Sequence, residues 1–558
     1  MYNRYQFDST PIMNKKVNSF NTSHSLNTTM KIGRWTPIDW DIVMPGQTTK
    51  IKINGKVRMT TSKYPTMDRA YIDFCAFWVP FRLVYKDYKE WLAQENFSDP
   101  FVEKEYTIPT IQAPLDNNKW DTGSVADYLG LPTEQINNDK VIRLPINAFS
   151  LCWNEWCRSQ QLQKPIDIPD DKTVNAIGTH IKNTEQAYVT DTALGGILPP
   201  ATKLHDYFTS ALPRPQFGEP VPFGLLEDAV VDVGSASIQT KNTVVPMIWT
   251  DINNNPLNIT EARALGYTPL GPKTTFVTYP NMEINATNLD VKPGNLIAKT
   301  KDIKAGNITQ LRQSIMEQQY AEKRLIYGGR MQDYIKGMYG VETNPNIIDI
   351  PELLSTKRTN IAMQQVVQSS ATQGTGQDIQ PLGEVSGLSN TDSDYITFEK
   401  SFQEHGIIMI MATIRYRHSY SQGIDKKWKR TKIEDYYNEV FANKSEQPVM
   451  RSEIYAGMND AVFGYQEPWA EERVRQNKIT GQMRPNIQNS QGLYWTYGDN
   501  YAKAPILSAE WIEEDPSNMI RTFALQEELA DPFKVDLWIE QHDLKPVPIY
   551  GVPGLDRI

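Results

Sequence analysis

The densest run of charge in the chain is Lys426-Lys427-Trp428-Lys429-Arg430-Thr431-Lys432, preceded by Arg415, Arg417 and His418 and interleaved with Tyr416 and Tyr420. Cations beside flat rings are what single-stranded nucleic acid requires of a partner: the cations neutralise phosphates and the rings stack on bases. Arg4, Lys15 and Lys16 against Asp8 make the first residues mildly basic as well. The plainer reading of the 426–432 run is a solvated loop balanced by its neighbours Asp425, Glu434 and Asp435.

Residues arranged for catalysis are sparse. Gly374-Thr375-Gly376-Gln377 has no lysine after it, so it is not a phosphate loop, and there is no His-Glu-x-x-His helix, Gly-x-Ser-x-Gly elbow or Cys-x-x-Cys pair. The six histidines (His24, His180, His205, His405, His418, His542) are scattered, with no two at metal-ligand spacing. His405 opens an apolar strand and reads as a hydrogen-bonded structural residue. Acidic pairs such as Glu471-Glu472 and Glu513-Glu514 are expected in a chain with 66 acids. A glycosidase-type carboxylate pair is set by fold rather than spacing, which keeps a carbohydrate-active or carbohydrate-binding β protein as the alternative class. The expectation is no catalytic residue, no metal and no cofactor.

The totals agree with a packed protein. Hydrophobic residues make up 40% and charged residues 22%, and the net charge of −9 confines any nucleic-acid contact to a local patch. It also disfavours a third reading, a dedicated nucleic-acid-binding protein. Three cysteines (Cys75, Cys152, Cys157) cannot all pair within one chain, so free thiols and cytosolic synthesis are expected. The N-terminus lacks a secretory apolar region. The longest apolar runs, Phe74 to Val79 and Ile407 to Ala412, fall far short of the ~20 residues that span a bilayer.

The element around which the rest is organised is Tyr71-Ile72-Asp73-Phe74-Cys75-Ala76-Phe77-Trp78-Val79-Pro80. In a strand Ile72, Phe74, Ala76 and Trp78 share one face and Cys75, Phe77 and Val79 the other, so both faces need cover and the strand belongs between two layers. Pro80 stops it, and a short helix from Tyr85 to Ala93 follows. Lys31 to Val43 reads as a strand interrupted by Pro37. Ile51, Ile53, Val57 and Met59 alternate with Lys50, Lys52, Asn54, Lys56 and Arg58, and the phase runs through Asn54-Gly55, so one strand with a bulge is expected rather than a hairpin. Pro145 suits the first turn of a helix, and Phe149, Cys152, Trp153 and Trp156 give it a buried stripe.

Residues 1–29, rich in Asn, Ser and Thr, read as an arm ordered only against a partner. Residues 206–225 read as a Pro-rich strap. From 226 to 305 the composition shifts to Asn, Thr, Val and Gly in short β-like bursts, an inserted surface subdomain. Helices are expected at Thr309–Tyr327 and Met331–Met338, separated by Gly328-Gly329. A flexible loop is expected at 370–394, a buried strand at Glu404–Tyr416 and an extended tail at Gln541–Val552. The domain plan is therefore an arm (1–29), a first segment of the β domain with helical insertions (30–225), the insert (226–305) and a second segment of the β domain with helices and the tail (306–558). Strands at both ends with helices in the connections fit a β-sandwich or jelly roll better than an alternating α/β fold.

Four stretches carry a resemblance: Phe208 to Gln216; Gly329-Arg330-Met331-Gln332-Asp333-Tyr334 with Tyr339-Gly340-Val341; Val462 to Glu471 with Thr480-Gly481; and Pro546 to Leu555. With Met67-Asp68 and the Phe-Trp-Val-Pro strand, in this order, they resemble the major capsid protein of the gokushovirus branch of the Microviridae over nearly the whole chain except 226–305. The resemblance implies a mainly β protein, an eight-stranded antiparallel jelly roll with long loop and helical insertions. Identical subunits would form a T=1 icosahedral shell around circular single-stranded DNA. It further implies a bacterial host, synthesis in its cytoplasm, a virion location and a host-cell surface receptor. The implied partners are a small basic DNA-packaging protein and a minor DNA-pilot protein, with no membrane insertion. The insert corresponds to the family's threefold protrusion. Gln466, Glu467, Trp469, Arg330, Tyr334 and Tyr550 become assembly candidates, and the 426–432 cations, Arg415, Arg417 and the arm cations become candidates for contact with DNA. Pro468 stands where the family commonly has Arg, and Met331 where it favours an aromatic.

Overall fold

The computed structural model describes residues 16–93, 106–114, 119–134, 140–170, 173–175, 186–219, 221, 249–250, 266–268, 275–278, 282–284, 292–293, 308–367, 385–442, 444–457, 461–524 and 530–550. Its main strands are β1 (Asn18–Asn21), β2 (His24–Met30), β3 (Thr36–Val43), β4 (Thr48–Met59), β5 (Ala70–Pro80), β6 (Glu352–Ile361), β7 (Thr391–Ser401), β8 (Gly406–Tyr416) and β9 (Phe533–Lys545). They form two antiparallel sheets. In the first, β1 and β2 both pair with β9, β9 with β4, and β4 with β7; in the second the order is β6-β5-β8-β3. The protein is mainly β, and the two sheets share one apolar core.

The alternation of β5 decides that core. Ile72, Phe74, Ala76 and Trp78 pack with Ile51, Ile53 and Val57 of β4 and with Val535, Leu537 and Ile539 of β9. On the opposite face Phe77 and Val79, with Ile407, Met409 and Met411 of β8, pack against Phe149, Cys152 and Trp153. Those last residues belong to α1 (Leu144–Cys152), which starts with Pro145 in its first turn and runs on as a π-helical turn from Trp153 to Cys157. So β5 and β8 are covered on both sides, as the sequence requires. Each large apolar side chain buried here contributes roughly 1.5–3 kcal/mol.

Asp73 is the exception in that apolar ribbon, and its neighbours account for it. It is buried, and it accepts from Arg358 Nε across the β5–β6 pair at 2.6 Å and from Arg415 Nε across the β5–β8 pair at 2.9 Å. Two glycines permit close approach. A Cβ on Gly406 would lie 2.4 Å from Trp78 Nε1, and one on Gly55 would lie 2.2 Å from the Asp536 carbonyl oxygen.

Several expectations are corrected. Residues 18–30 of the arm are strands β1 and β2, held by β9. The strand at the C-terminal end spans Phe533–Lys545 and is the longest of the nine; only its last residues coincide with the expected tail, and residues past 550 lie outside the described residues. β4 is one strand, and the bulge sits on its partner β7, where Tyr395 and Ile396 are both buried. The 370–394 loop is partly strand: Val385–Ser389 pairs with Met363–Val367, and β7 begins at Thr391, while 368–384 lie outside the described residues. Two short helices, Phe81–Val84 and Tyr88–Ala93, replace the single expected one. The two later helices are α2 (Ile308–Tyr327) and α3 (Met331–Tyr339), with Gly328 between them at φ +77°.

The chain divides into two compact units, residues 218–321 and the remainder. Within the first, the described strands are a three-stranded antiparallel set (Gly266–Thr268, Thr275–Thr278, Met282–Ile284) and the pair Trp249–Thr250 with Lys292–Pro293. Most of 226–305 lies outside the described residues.

Phe74, fully buried with its ring 4.5 Å from that of Tyr395, tests the core. Phe74→Ala is expected to destabilise the unassembled subunit by about 3–5 kcal/mol. Trp428→Ala, at a residue 83% exposed, is expected to change it by less than about 0.5 kcal/mol. Denaturant unfolding of the two variants checks the contrast.

Candidate nucleic-acid interface and assembly residues

The 426–432 run is a 3-10 turn, Lys426–Lys429, capped by the Asp425 carboxylate, which accepts from the Lys427 backbone N–H at 3.0 Å. Its cations are met by acids that lie forty residues along the chain. Lys427 Nζ is 2.9 Å from Glu472, Arg430 reaches Glu471 at 2.9 Å and Glu472 at 2.6 Å, and Lys426 lies 3.7 Å from Glu471 while donating to Gln447 Oε1 at 2.9 Å. Lys429 donates to Ser452 Oγ at 2.5 Å. Hydrogen bonds from Lys427 and Arg430, then their charge, hold the Glu472 carboxyl below the usual range. Burial works against the Arg430 charge, and the two glutamates outweigh it.

The motif around Trp469 aims those acids. Trp469 takes a left-handed backbone, φ +65°, just before the Ala470–Arg473 turn that carries Glu471 and Glu472. That conformation costs a bulky residue roughly 1–2 kcal/mol. The buried indole holds it in place: Nε1 donates to the Phe441 carbonyl at 3.2 Å and the ring lies edge-on to Tyr437 at 5.5 Å. Gln466 Nε2 donates to the Tyr207 carbonyl at 2.6 Å and to Ser210 Oγ at 2.7 Å, and Glu467 pairs with Arg473 at 2.7 Å. The Phe208–Gln216 and Val462–Glu471 stretches are thus in contact, and their bonds are internal to the subunit.

The other named residues separate. Arg415 is engaged by Asp73 and by the Thr202 carbonyl, so it is a structural cation and comes off the exposed set. Arg417, Lys432, Lys16 and Trp428 are exposed. Arg330 Nη2 donates to the Arg158 carbonyl at 3.2 Å, and the Tyr334 ring lies 6.4 Å from that of Tyr339. Tyr550 is 80% exposed; Arg4 and Lys15 lie outside the described residues. Beside Trp428, the segment to residue 441 also exposes Ile433, Tyr436, Tyr437 and Val440.

Sequence reading missed a second charged constellation. His418, fully buried just past β8, places Nδ1 3.0 Å from Asp499 and Nε2 2.8 Å from Glu514. Asn518 donates to the same Asp499 at 2.8 Å. Burial opposes the imidazolium, but the two carboxylates outweigh it and raise the His418 pKa to about 10, while the imidazolium keeps Asp499 below its ordinary value despite burial. A lone histidine followed by acids eighty residues away carries no local signal. His405 is hydrogen-bonded to the Tyr88 hydroxyl at 2.9 Å and stacks on Phe81, the structural role its position suggested. All three cysteines are free, and burial raises each thiol pKa. Among the described residues no group of His, Cys, Asp and Glu is placed to hold a metal, and no helix is long and apolar enough to cross a membrane.

Comparison with known proteins bears on what these surfaces serve. The sequence pattern of the family described as capsid protein (F protein) matches residues 11–555. The chain is 32% identical over 547 residues to the capsid protein VP1 of Spiroplasma virus 4, covering 96% of this chain and 94% of that one. It is 30% identical to the capsid protein VP1 of Bdellovibrio phage phiMH2K and 28% identical to that of Chlamydia phage 1, in each case covering 99% of this chain and 98% of the other.

Two outcomes follow from the geometry. His418 has a folded pKa above its ordinary 6.5, so its contribution is complete below pH 6.5 and lost as pH rises through about 10. His418→Gln is expected to cost about 3–5 kcal/mol near pH 6, because two carboxylates stay buried. The gap in Tm between variant and parent should shrink from pH 6.5 to 10. Glu471→Gln with Glu472→Gln releases Lys426, Lys427 and Arg430. The double variant is expected to bind a single-stranded oligonucleotide about tenfold more tightly at low salt than the parent, with a steeper salt dependence, by fluorescence anisotropy.

Proposed function

The chain belongs to the capsid protein (F protein) family and is a major capsid protein of the gokushovirus kind, and from that premise we propose that its copies close into a T=1 icosahedral shell around a circular single-stranded DNA genome. The observation that carries this reading is the near full-length relation to three phage capsid proteins. The family's role is structural and its place is the virion, and membership displaces the carbohydrate-binding alternative.

The fold reading is a jelly roll. With β1 and β2 counted as one strand, the chain visits the sheets as strands 1-8-3-6 and 2-7-4-5, which supports two interlocked Greek keys. Such a plate offers loops and edges to its neighbours without altering its core. Trp428, Ile433 and Val440, each more than 80% exposed in the single subunit, are surfaces a neighbouring copy would cover. Exposed Lys16, Arg417, Trp428 and Lys432, with Arg4 and Lys15 outside the described residues, stay candidates for DNA contact on the inner surface. A small basic packaging protein and a DNA-pilot protein complete the expected particle, and the bacterial cytoplasm is the expected place of synthesis.

The 226–305 insert, which falls within the separate compact unit 218–321, is proposed as the threefold protrusion that meets the host receptor. Purified parent protein and a form with a shortened insert are both expected to give uniform, roughly spherical particles by negative-stain microscopy, with adsorption to host cells lost only in the second. A parent protein that stays monomeric under all assembly conditions overturns the shell reading. A shortened form that cannot assemble places the insert in the wall instead.

A further inference from the structure

The obvious basic cluster is neutralised within the subunit, but a less conspicuous pair of cations is not. Arg158, just past the π-helical turn after α1, and Arg330, the residue before α3, stand side by side. Arg158 Nη1 donates to the Gln163 carbonyl at 2.8 Å and Arg330 Nη2 to the Arg158 carbonyl at 3.2 Å. The Nε atom of each is buried and meets no acceptor. Among the described residues neither guanidinium has a carboxylate at ion-pair distance; Glu155 acts on Arg158 only from farther away. Burial, and then the charge of Arg330, lower the Arg158 pKa. Adjacent like charges with unsatisfied donors are costly, and an anion is what relieves them.

Both guanidiniums open on a groove of about 680 Å3 that His205, Tyr327 and Lys336 also line, with Asp333 the single carboxylate on its wall. Lys336 is shared with exposed Glu342 at 2.9 Å. α3 begins directly after Arg330 with no side-chain cap, which brings the positive end of a nine-residue helix to the same spot. The volume falls in the range of roughly 300–1,000 Å3 that takes a small organic ligand. One carboxylate from a neighbouring chain would leave most of it empty, whereas a nucleotide unit has room within it.

We propose that Arg158, Arg330 and the groove they open on form a binding site for phosphate oxyanions, presented by the backbone of a single-stranded polynucleotide or as the free ion. The polynucleotide source rests on the reading that the chain encloses single-stranded DNA; the site itself does not. Planar guanidiniums match phosphate oxygens in pairs, and an anion in the groove that both arginines line offsets the charge they hold side by side.

The test uses the full chain, its Arg330→Gln variant, and Arg158→Gln, which keeps the Arg330 contact to the residue 158 carbonyl and serves if the first does not fold. Tm is read in sodium phosphate against sodium chloride at equal ionic strength, and affinity for a short oligo-dT by fluorescence anisotropy. The parent is expected to gain a few degrees in phosphate and the variants none. Oligo-dT affinity is expected to fall about tenfold in either variant with less salt dependence. A Tm gain confined to phosphate, with oligo-dT binding equal in parent and variants, supports the site and assigns the free ion as its source. Equal behaviour of parent and variants toward both anions overturns the site. Particle formation by the parent is scored in parallel, so loss of the anion effect with particles intact removes only the site, whereas failure to form particles removes the shell reading whatever the anions do.

Discussion

Burial of β5 and β8 on both faces is the constraint that the rest of the subunit obeys. A strand pair that carries Phe74, Trp78, Ile408 and Ile410 on one side and Phe77, Val79, Ile407 and Met409 on the other is insoluble unless both sides are covered. The first sheet supplies one cover and α1 with its flanking segments the other. A sandwich with one bare face would need no helical insertion. Here the part of the β5–β6 connection from Phe81 to Ala201 supplies that second cover.

Charge is handled with the same economy. Asp73 inside the ribbon meets Arg358 and Arg415, His418 meets Asp499 and Glu514, and the 426–430 cations meet Glu471 and Glu472. Buried pairs of this kind add little net stability against an apolar replacement, but breaking one leaves a charge stranded. They therefore fix which loops go together: His418 ties the end of β8 to segments 499 and 514, and Arg430 ties the 426–441 segment to the Trp469 turn. Against this background of matched charges the unmatched Arg158 and Arg330 stand out.

What could be read in the sequence is what is local and periodic. The two faces of β5, the alternation of β4 through Asn54-Gly55, Pro145 opening α1 and the Gly328-Gly329 break are all set by residues within a turn or two of one another. The alternation Phe533, Val535, Leu537, Ile539 is equally local, but Lys534, Asp536 and Glu540 between them disguise the stretch as polar, and only its end reads as extended. β1 and β2 offer only Phe20, Leu26 and Met30 as apolar residues, too few for a clear alternation, and their order comes from pairing with β9. The partners of the basic run were not legible at all, because a lysine and a glutamate forty residues apart are joined by the fold and not by spacing. The Glu471-Glu472 pair was visible and looked like background in an acidic chain.

β9 is the common partner of β1, β2 and β4, and its consequence is one of timing. Without residues 533–545 the first sheet is reduced to the β4–β7 pair, and β1 and β2 have nothing to pair with. Contacts that span some five hundred residues form slowly because so much chain must be brought together first. A polypeptide cut short before residues 533–545 would leave that edge of β4, and both β1 and β2, without a partner strand.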